Sequence, residues 1–319
     1  MAPLVTVFGA TGRQGGAVVR ALLARGGRRV RAVTRRPQDA AARALAALGV
    51  EVRRADLDDP ASLAPVLAGA QGVFAVTDFW AHLDARRELR QATHLAEAAA
   101  ASRELRELVW STLEDTREVF PADGTRFPVL QGAYNVPHMD AKGEANARFL
   151  ERGLPATLLL TSFYWDNLLA PGLGPQRTDD GVLELALPLG DARLPGIGVD
   201  ELGACAAALF DGASCQRRVG IAGEHLRGPQ LAARLAEHLG EPVRYRDVAL
   251  DDFARLPFPG APDLAAMFRF EQLANDRVCA ARPVEATRAL HPGLQDLRGW
   301  LAHSPGARAP APVAEGGTP

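Results

Sequence analysis

Three features of this 319-residue sequence predict an α/β fold, a doubly wound parallel sheet of the Rossmann type with a smaller, irregular α+β region on its carboxyl edge. Over the first 160 residues, short β-branched or aliphatic runs alternate with alanine- and leucine-rich helical stretches, the signature of successive βαβ units. A glycine cluster, GATGRQG, directly follows the first of those runs. Beyond residue 160 the alternation breaks up as proline and glycine become denser, notably from Pro171 to Pro175.

Element by element, the pattern predicts strands over 4–8, 29–34, 51–54, 72–76, 108–111 and 156–160. Helices are expected to begin near Arg13, Pro37, Pro60, Leu83 and His138, and later helices to cover 200–210, 229–239 and 262–275. Between 113 and 137 no period persists, so a long functional or mobile loop is expected. The chain thus divides into a regular region, 1–160, and a smaller substrate- or partner-binding region, 161–302, from which some segments return to the first. A Pro/Ala/Gly-rich tail, 303–319, is expected to be disordered.

With 47% hydrophobic and 23% charged residues, the composition is that of a soluble globular protein and excludes collagen-like, coiled-coil or wholly disordered chains. Lys and Arg total 36 against 38 acids, a net charge of −2, so no global field draws in nucleic acid or an anionic membrane. Arginine pairs such as Arg28-Arg29 and Arg53-Arg54 read as solvated faces. No apolar stretch approaches the roughly 20 residues that span a bilayer, and the amino terminus does not resemble a signal peptide. Cys205, Cys215 and Cys279 form no CxxC pair and read as small buried hydrophobes of a reducing compartment, the cytoplasm with nuclear access open. The histidines form no ligand-spaced set, so no metal site is expected.

The glycine cluster carries the strongest chemistry. Gly9 permits a tight turn and Gly12 a close backbone approach to a pyrophosphate. Gly15 or Gly16 allows the helix to pack closely on the sheet, and the helix N-terminus supplies positive potential. Ala10, Thr11, Arg13 and Gln14 complete the cradle. At the end of the second strand Val33-Thr34-Arg35-Arg36 offers guanidinium where an NAD site carries an acid, so the expected nucleotide is NADP(H). Asp56, with Leu57 beside it, falls where the adenine amino group would lie, while Asp58 and Asp59 read as helix caps. Thr77, Asp78 and Phe79 follow the fourth strand at the carboxyl edge, where Thr77 can meet phosphate or ribose.

Short-chain dehydrogenases protonate their product with the tyrosine of a Tyr-x-x-x-Lys pair, a serine standing nearby. Here Lys142 and Ser111 fit by order, but His138 stands four residues before Lys142, on the same helical face. His138 is therefore a candidate acid, with a first-turn polar residue as the alternative; Tyr134 is a candidate mobile donor. After the sixth strand, Tyr164 and Asn167 can close over a nicotinamide, with core packing the rival for Tyr164 and Trp165.

The motifs VTVFGATGRQGGAV, VTRRP, VTDFW, PHMDAKGE, SFYWDNLL and FPGAPDLAAMFRF together resemble the NmrA-like family of atypical short-chain dehydrogenases over nearly the whole chain. The resemblance implies an NADP(H)-binding redox sensor without an established dehydrogenase reaction, acting through regulatory protein partners or dimerisation in cytoplasm and nucleus. A working NADPH-dependent reductase of quinones or related carbonyl compounds is the alternative. Carried over, the cofactor contacts would be Gly9 to Gln14, Arg35, Asp56, Thr77, Arg90, Lys142, Tyr164, Trp165, Asp166 and Asn167. Asp39 stands where family members can carry lysine, so Arg36 is expected to replace a lost 2′-phosphate contact. Arg90 stands where a family member has lysine, and the 113–137 loop looks longer than the family's.

Overall fold

The first apolar run, Leu4–Val7, is buried at every position and forms β1, an interior strand. The computed structural model describes residues 2–169, 173–212 and 218–303. After β1 come α1 (Arg13–Arg25), β2 (Arg29–Thr34), α2 (Ala40–Ala47), β3 (Glu51–Arg54), α3 (Leu63–Leu67), β4 (Gly72–Ala75), α4 (Ala85–Ala100), β5 (Glu107–Thr112), α5 (Pro137–Leu150) and β6 (Ala156–Leu160). The second half supplies β7 (Phe163–Tyr164), β8 (Gln176–Arg177), β9 (Leu183–Leu187), β10 (Leu194–Ile197), α6 (Val199–Ala208), β11 (Arg218–Gly220), β12 (Glu224–Leu226), α7 (Gly228–Leu239) and β13 (Val243–Asp247). It closes with α8 (Leu250–Ala254), α9 (Ala261–Leu273), α10 (Asn275–Ala280), α11 (Val284–Leu290) and α12 (Leu297–His303).

Seven parallel strands form the main sheet in the order β3-β2-β1-β4-β5-β6-β11. The order reverses between β1 and β4, which opens a crevice at their carboxyl ends. One apolar layer lies under α1 and α6 and holds Val5, Val18, Ala32 and Cys205; the other lies under α3, α4 and α5 and holds Val73, Leu95, Trp110 and Phe149. Gly203 lets α6 approach α1 closely, because a Cβ there would meet the Ala17 carbonyl carbon at 2.5 Å. Two three-stranded sheets, β12-β10-β7 and β13-β9-β8, build the second half around Trp165, Phe268 and Trp300. Cys205 and Cys279 are buried. Cys215, the beginning of the Pro171–Pro175 run and the tail from 304 onward lie outside the described residues, and His303 belongs to α12.

Three helix starts depart from the sequence reading. Pro37 precedes α2, which begins at Ala40 because Asp39 holds the extended N-cap conformation. Pro60 opens a short 3₁₀ turn, Pro60–Ser62, ahead of α3. Leu83 has φ 55° and lies outside α4, whose N-cap Asp84 accepts from the Arg87 N–H. The 113–137 segment is a packed loop. Asp140, fully buried on α5, accepts from Thr116 N and Oγ1 and from the N–H groups of Asn135 and Val136. Phe127 and Val136 pack with Phe270 of α9.

A buried ion pair ties the two halves together at the carboxyl edge of the sheet. Arg282 donates to both Glu114 oxygens at 2.5 and 2.7 Å and to the Thr161 carbonyl at 2.8 Å. Glu271 lies close by with one buried oxygen unpartnered. Burial pushes its carboxyl up to about 8, with Arg282 opposing and Glu114 adding to the rise. Folded Glu271 thus keeps a proton that an unfolded glutamate releases near 4.5, so its stabilisation is complete below that pH and declines as pH rises toward 8. Thermal unfolding of Glu271→Gln is expected to lack this decline between pH 5 and 8. Parallel pH profiles for variant and wild type would mean that Glu271 is ionised in the fold.

Candidate nucleotide and active site

The turn leaving β1 is small because its backbone must approach a ligand. Gly9 adopts φ 63°, and a Cβ there would meet Val76 Cγ1 at 2.8 Å, which sets the turn against the exit of β4. In α1, a Cβ on Gly15 would overlap the Gly9 carbonyl. Gly12 is the N-cap of α1 and has no side chain to fold back on the first helical N–H groups. Those donors remain open to an anion, which the helix dipole also favours. Ala10 N donates to Val33 O at 3.4 Å, and Thr11 Oγ1 meets Thr34 Oγ1 at 3.3 Å, fastening the turn to β2. This cradle fits a dinucleotide pyrophosphate.

At the ends of β2 and β3 the structure separates charges that look alike in sequence. Arg36 is paired with Asp39 at 2.9 Å, so the guanidinium expected to replace a missing phosphate contact is already engaged. The exposed Arg35 side chain has no partner among the described residues. Asp56 accepts from Asp58 N at 3.0 Å, and the Leu57 carbonyl meets His94 Nδ1 at 2.8 Å. Asp58 is not a cap: it pairs with Arg87 at 2.5 Å, while Asp59 caps by accepting from Ala61 N.

The centre of the site is a buried charge cluster. Lys142 Nζ donates to Thr77 O at 3.1 Å and Thr77 Oγ1 at 2.8 Å, and pairs with Glu88 Oε1 at 2.6 Å. Thr77 Oγ1 in turn donates to Glu88 at 2.5 Å. Glu88 is 0% exposed. Burial, the largest influence, would raise its carboxyl, yet Lys142, His82 and Thr77 together hold it at about 2. The three N–H groups of Lys142 meet three acceptors, so it has no spare donor for a ribose in this arrangement. Arg90, two residues past Glu88, faces solvent away from the cluster and has no side-chain partner among the described residues.

Around the glycine turn, Ser111 Oγ donates to Gln14 Oε1 at 2.6 Å, and Arg13 donates to Asn167 Oδ1 at 2.8 Å. The latter bond links the α1 opening to the segment after β7. Tyr164 is half-buried, and burial pushes its phenol up to about 12, with hydrogen bonds to Thr161 and Gln14 opposing. Asp166 accepts from Val199 N at 3.0 Å, fixing the start of α6. Trp165 belongs to the core: its ring lies 5.9 Å from Trp300, and a Cβ on Gly196 or Gly223 would collide with it.

One turn before Lys142, His138 is buried and tied to Asp263 of α9 twice, through Nδ1 and, at 3.0 Å, through its backbone N–H. Trp80 and Phe79 flank the ring at 5.1 and 5.9 Å. Asp78 is exposed at the N-cap of the 3₁₀ turn that presents them. Beside the dyad opens a pocket of about 190 Å³, lined by Phe79, Leu83, Leu130, Gln131, Pro137, Pro259, Gly260, Pro262 and Asp263. Leu83 and Gln131 both hold positive φ, 55° and 47°, and Gln131 bridges Leu83 O and Ala85 N. Such strain persists where surrounding structure overdetermines it, often at functional sites. Tyr134 is not a mobile donor. It is buried against Phe79, Ala85 and Ala141, with the Arg117 guanidinium 4.8 Å from its ring centroid.

Glu88 and Asp263 were missed in the sequence reading. Glu88 had a signal: it falls on the same helical stripe as Ala85, Ala92, Leu95 and Ala99, all buried. Asp263 stands within FPGAPDLAAMFRF, but nothing in the sequence pairs it with His138, 125 residues away.

The fold and the cradle define a Rossmann-type protein with a dinucleotide site at its strand-order reversal. The model of the NmrA-like family matches residues 1–301, and the chain belongs to that family. It is 28% identical over 310 residues to the NmrA-like family domain-containing oxidoreductase FrzB of Cladobotryum sp, covering 90% of this chain and 89% of the relative. It is 27% identical to Quinone oxidoreductase 2 of Escherichia coli, covering 88% of each. Among solved structures it is similar to NmrA, a negative transcriptional regulator, in complex with NADP, with a TM-score of 0.76, 21% identity and 94% of each chain covered. That likeness shows the shared fold.

Proposed function

We propose that this chain is an NADP(H)-dependent oxidoreductase acting on quinones or related carbonyl compounds. The observation that carries this reading is the buried His138–Asp263 dyad, one turn from Lys142, where a short-chain dehydrogenase places its tyrosine. The oxidoreductase names of relatives spanning about nine-tenths of the chain support it. NADPH, when bound, supplies the hydride. The glycine turn and α1 hold its pyrophosphate, and the Glu88–Lys142–Thr77 cluster supports the nicotinamide side of the crevice. His138 gives a proton to the developing oxyanion from Nε2, while Asp263 fixes Nδ1 and stabilises the ring. Phe79, Leu130 and Pro262 offer the apolar wall a quinone ring requires. A panel of quinones and carbonyl compounds, followed by NADPH absorbance, tests the proposal. Turnover is expected with at least one quinone, and none across the panel counts against it.

A second reading, a redox sensor that controls regulatory protein partners or its own dimerisation, is favoured by the saturated Lys142 and by the Arg13–Asn167 bond. A dinucleotide displacing that bond would move the segment after β7 and change the adjoining surface. Unchanged oligomer mass and partner capture at saturating NADPH would remove this reading, since a ligand binding both forms equally shifts neither.

A further inference from the structure

We infer that Arg54, at the carboxyl end of β3, is a second guanidinium for the ribose 2′-phosphate and acts with Arg35. The inference rests on NADP(H) occupying the cleft and assigns a determinant of its discrimination from NAD(H).

Thr34 and Arg54 are paired positions of β2 and β3, on strands about 4.8 Å apart. Side chains alternate along a strand, and Val52 packs into the apolar layer beneath α1, so Arg54 emerges two residues later on that same face. Val30 and Ala32 place Thr34 on that face too, and Thr34 is the residue that holds the glycine turn through Thr11. Arg54 therefore stands next to the point where β2 meets the pyrophosphate cradle, at the ribose end of the nucleotide.

Four arginines occupy the ends of these two strands, and their surroundings divide them. Arg36 is paired with Asp39, and Arg53, on the opposite face, is paired with Glu51 at 2.7 Å. Arg35 and Arg54 have no side-chain partner among the described residues. One unpaired surface arginine is ordinary. Two on adjacent strand ends, with no acid at residues 34–36 to accept a ribose hydroxyl, are charges that a dianionic phosphate would neutralise. Arginine geometry permits both to donate in forked pairs to the same phosphate.

Calorimetric titration of the full chain with NADP+ and NAD+ tests the assignment. Arg54→Ala and Arg35→Ala are each expected to weaken NADP+ binding about tenfold or more, the loss of a hydrogen bond to a charged group, and to leave NAD+ within about twofold. The Arg54 side chain is exposed, so folding of the variant is expected to be intact, and a circular-dichroism melt alongside checks it. A wild type that binds both nucleotides equally would overturn the NADP(H) reading itself. A discriminating wild type whose ratio survives Arg54→Ala would overturn only the role of Arg54.

Discussion

Lys142→Ala is expected to lower unfolding stability by about 3–5 kcal/mol, the usual penalty for leaving one partner of a buried ion pair uncompensated. The magnitude follows from the environment of Glu88, which is fully buried and takes Lys142 and Thr77 on one oxygen, while His82 Nε2 lies 3.4 Å from the other. Without the ammonium, burial would dominate and drive the Glu88 carboxyl up. In the wild type that carboxyl is held at about 2, below the 4.5 of an unfolded glutamate. Its stabilisation is therefore present above about pH 4.5 and is lost as pH falls toward 2. Urea titrations at pH 7 and pH 3 should show the gap between wild type and Lys142→Ala narrowing at the lower pH. Removing both charges, as Lys142→Met with Glu88→Leu, should recover much of the lost stability. A single-variant loss below about 1 kcal/mol would mean that water reaches the pair.

His138→Ala is expected to reduce turnover by about 10² to 10⁴, the range for removing a positioned general acid. Asp263→Asn should reduce it less, because asparagine occupies the same space but no longer carries the charge that stabilises a protonated ring. Both variants change residues that join α5 to α9, so each needs a thermal melt and a NADPH titration beside the rate. Loss of rate with unchanged nucleotide affinity supports the dyad as proton source. Full activity in His138→Ala would transfer that role to water or another group.

The first half of the fold was legible because each βαβ unit writes its burial pattern locally: strand residues from Leu4 to Leu160 alternate with amphipathic helices that cover both faces. The cradle was legible for the same reason, since turn, N-cap and close approach occupy seven consecutive residues. Pairings across long separations were not. Nothing near His138 points to Asp263, and nothing near Glu114 points to Arg282, 168 residues later. Charge runs leave open what a neighbour decides. Arg35 and Arg36 look equivalent until Asp39 engages one, and Asp58 looks like a cap until Arg87 turns toward it. The 113–137 segment looked unstructured because its order comes from Asp140 and from Phe270, neither of which lies within it.

The most direct test asks whether the opening turn of α1 holds a phosphate. Gly12→Asp would place a carboxylate at the N-cap, where it takes the same N–H groups and fills the anion position, at the cost of a 3.2 Å approach of its Cβ to the Gly9 carbonyl oxygen. Calorimetry with NADPH is expected to show one site per chain in the wild type and no measurable heat of binding in Gly12→Asp, with a circular-dichroism melt alongside to show that the variant is folded. Undiminished NADPH affinity in that variant, or no binding by the wild type, would contradict the assignment of the cradle.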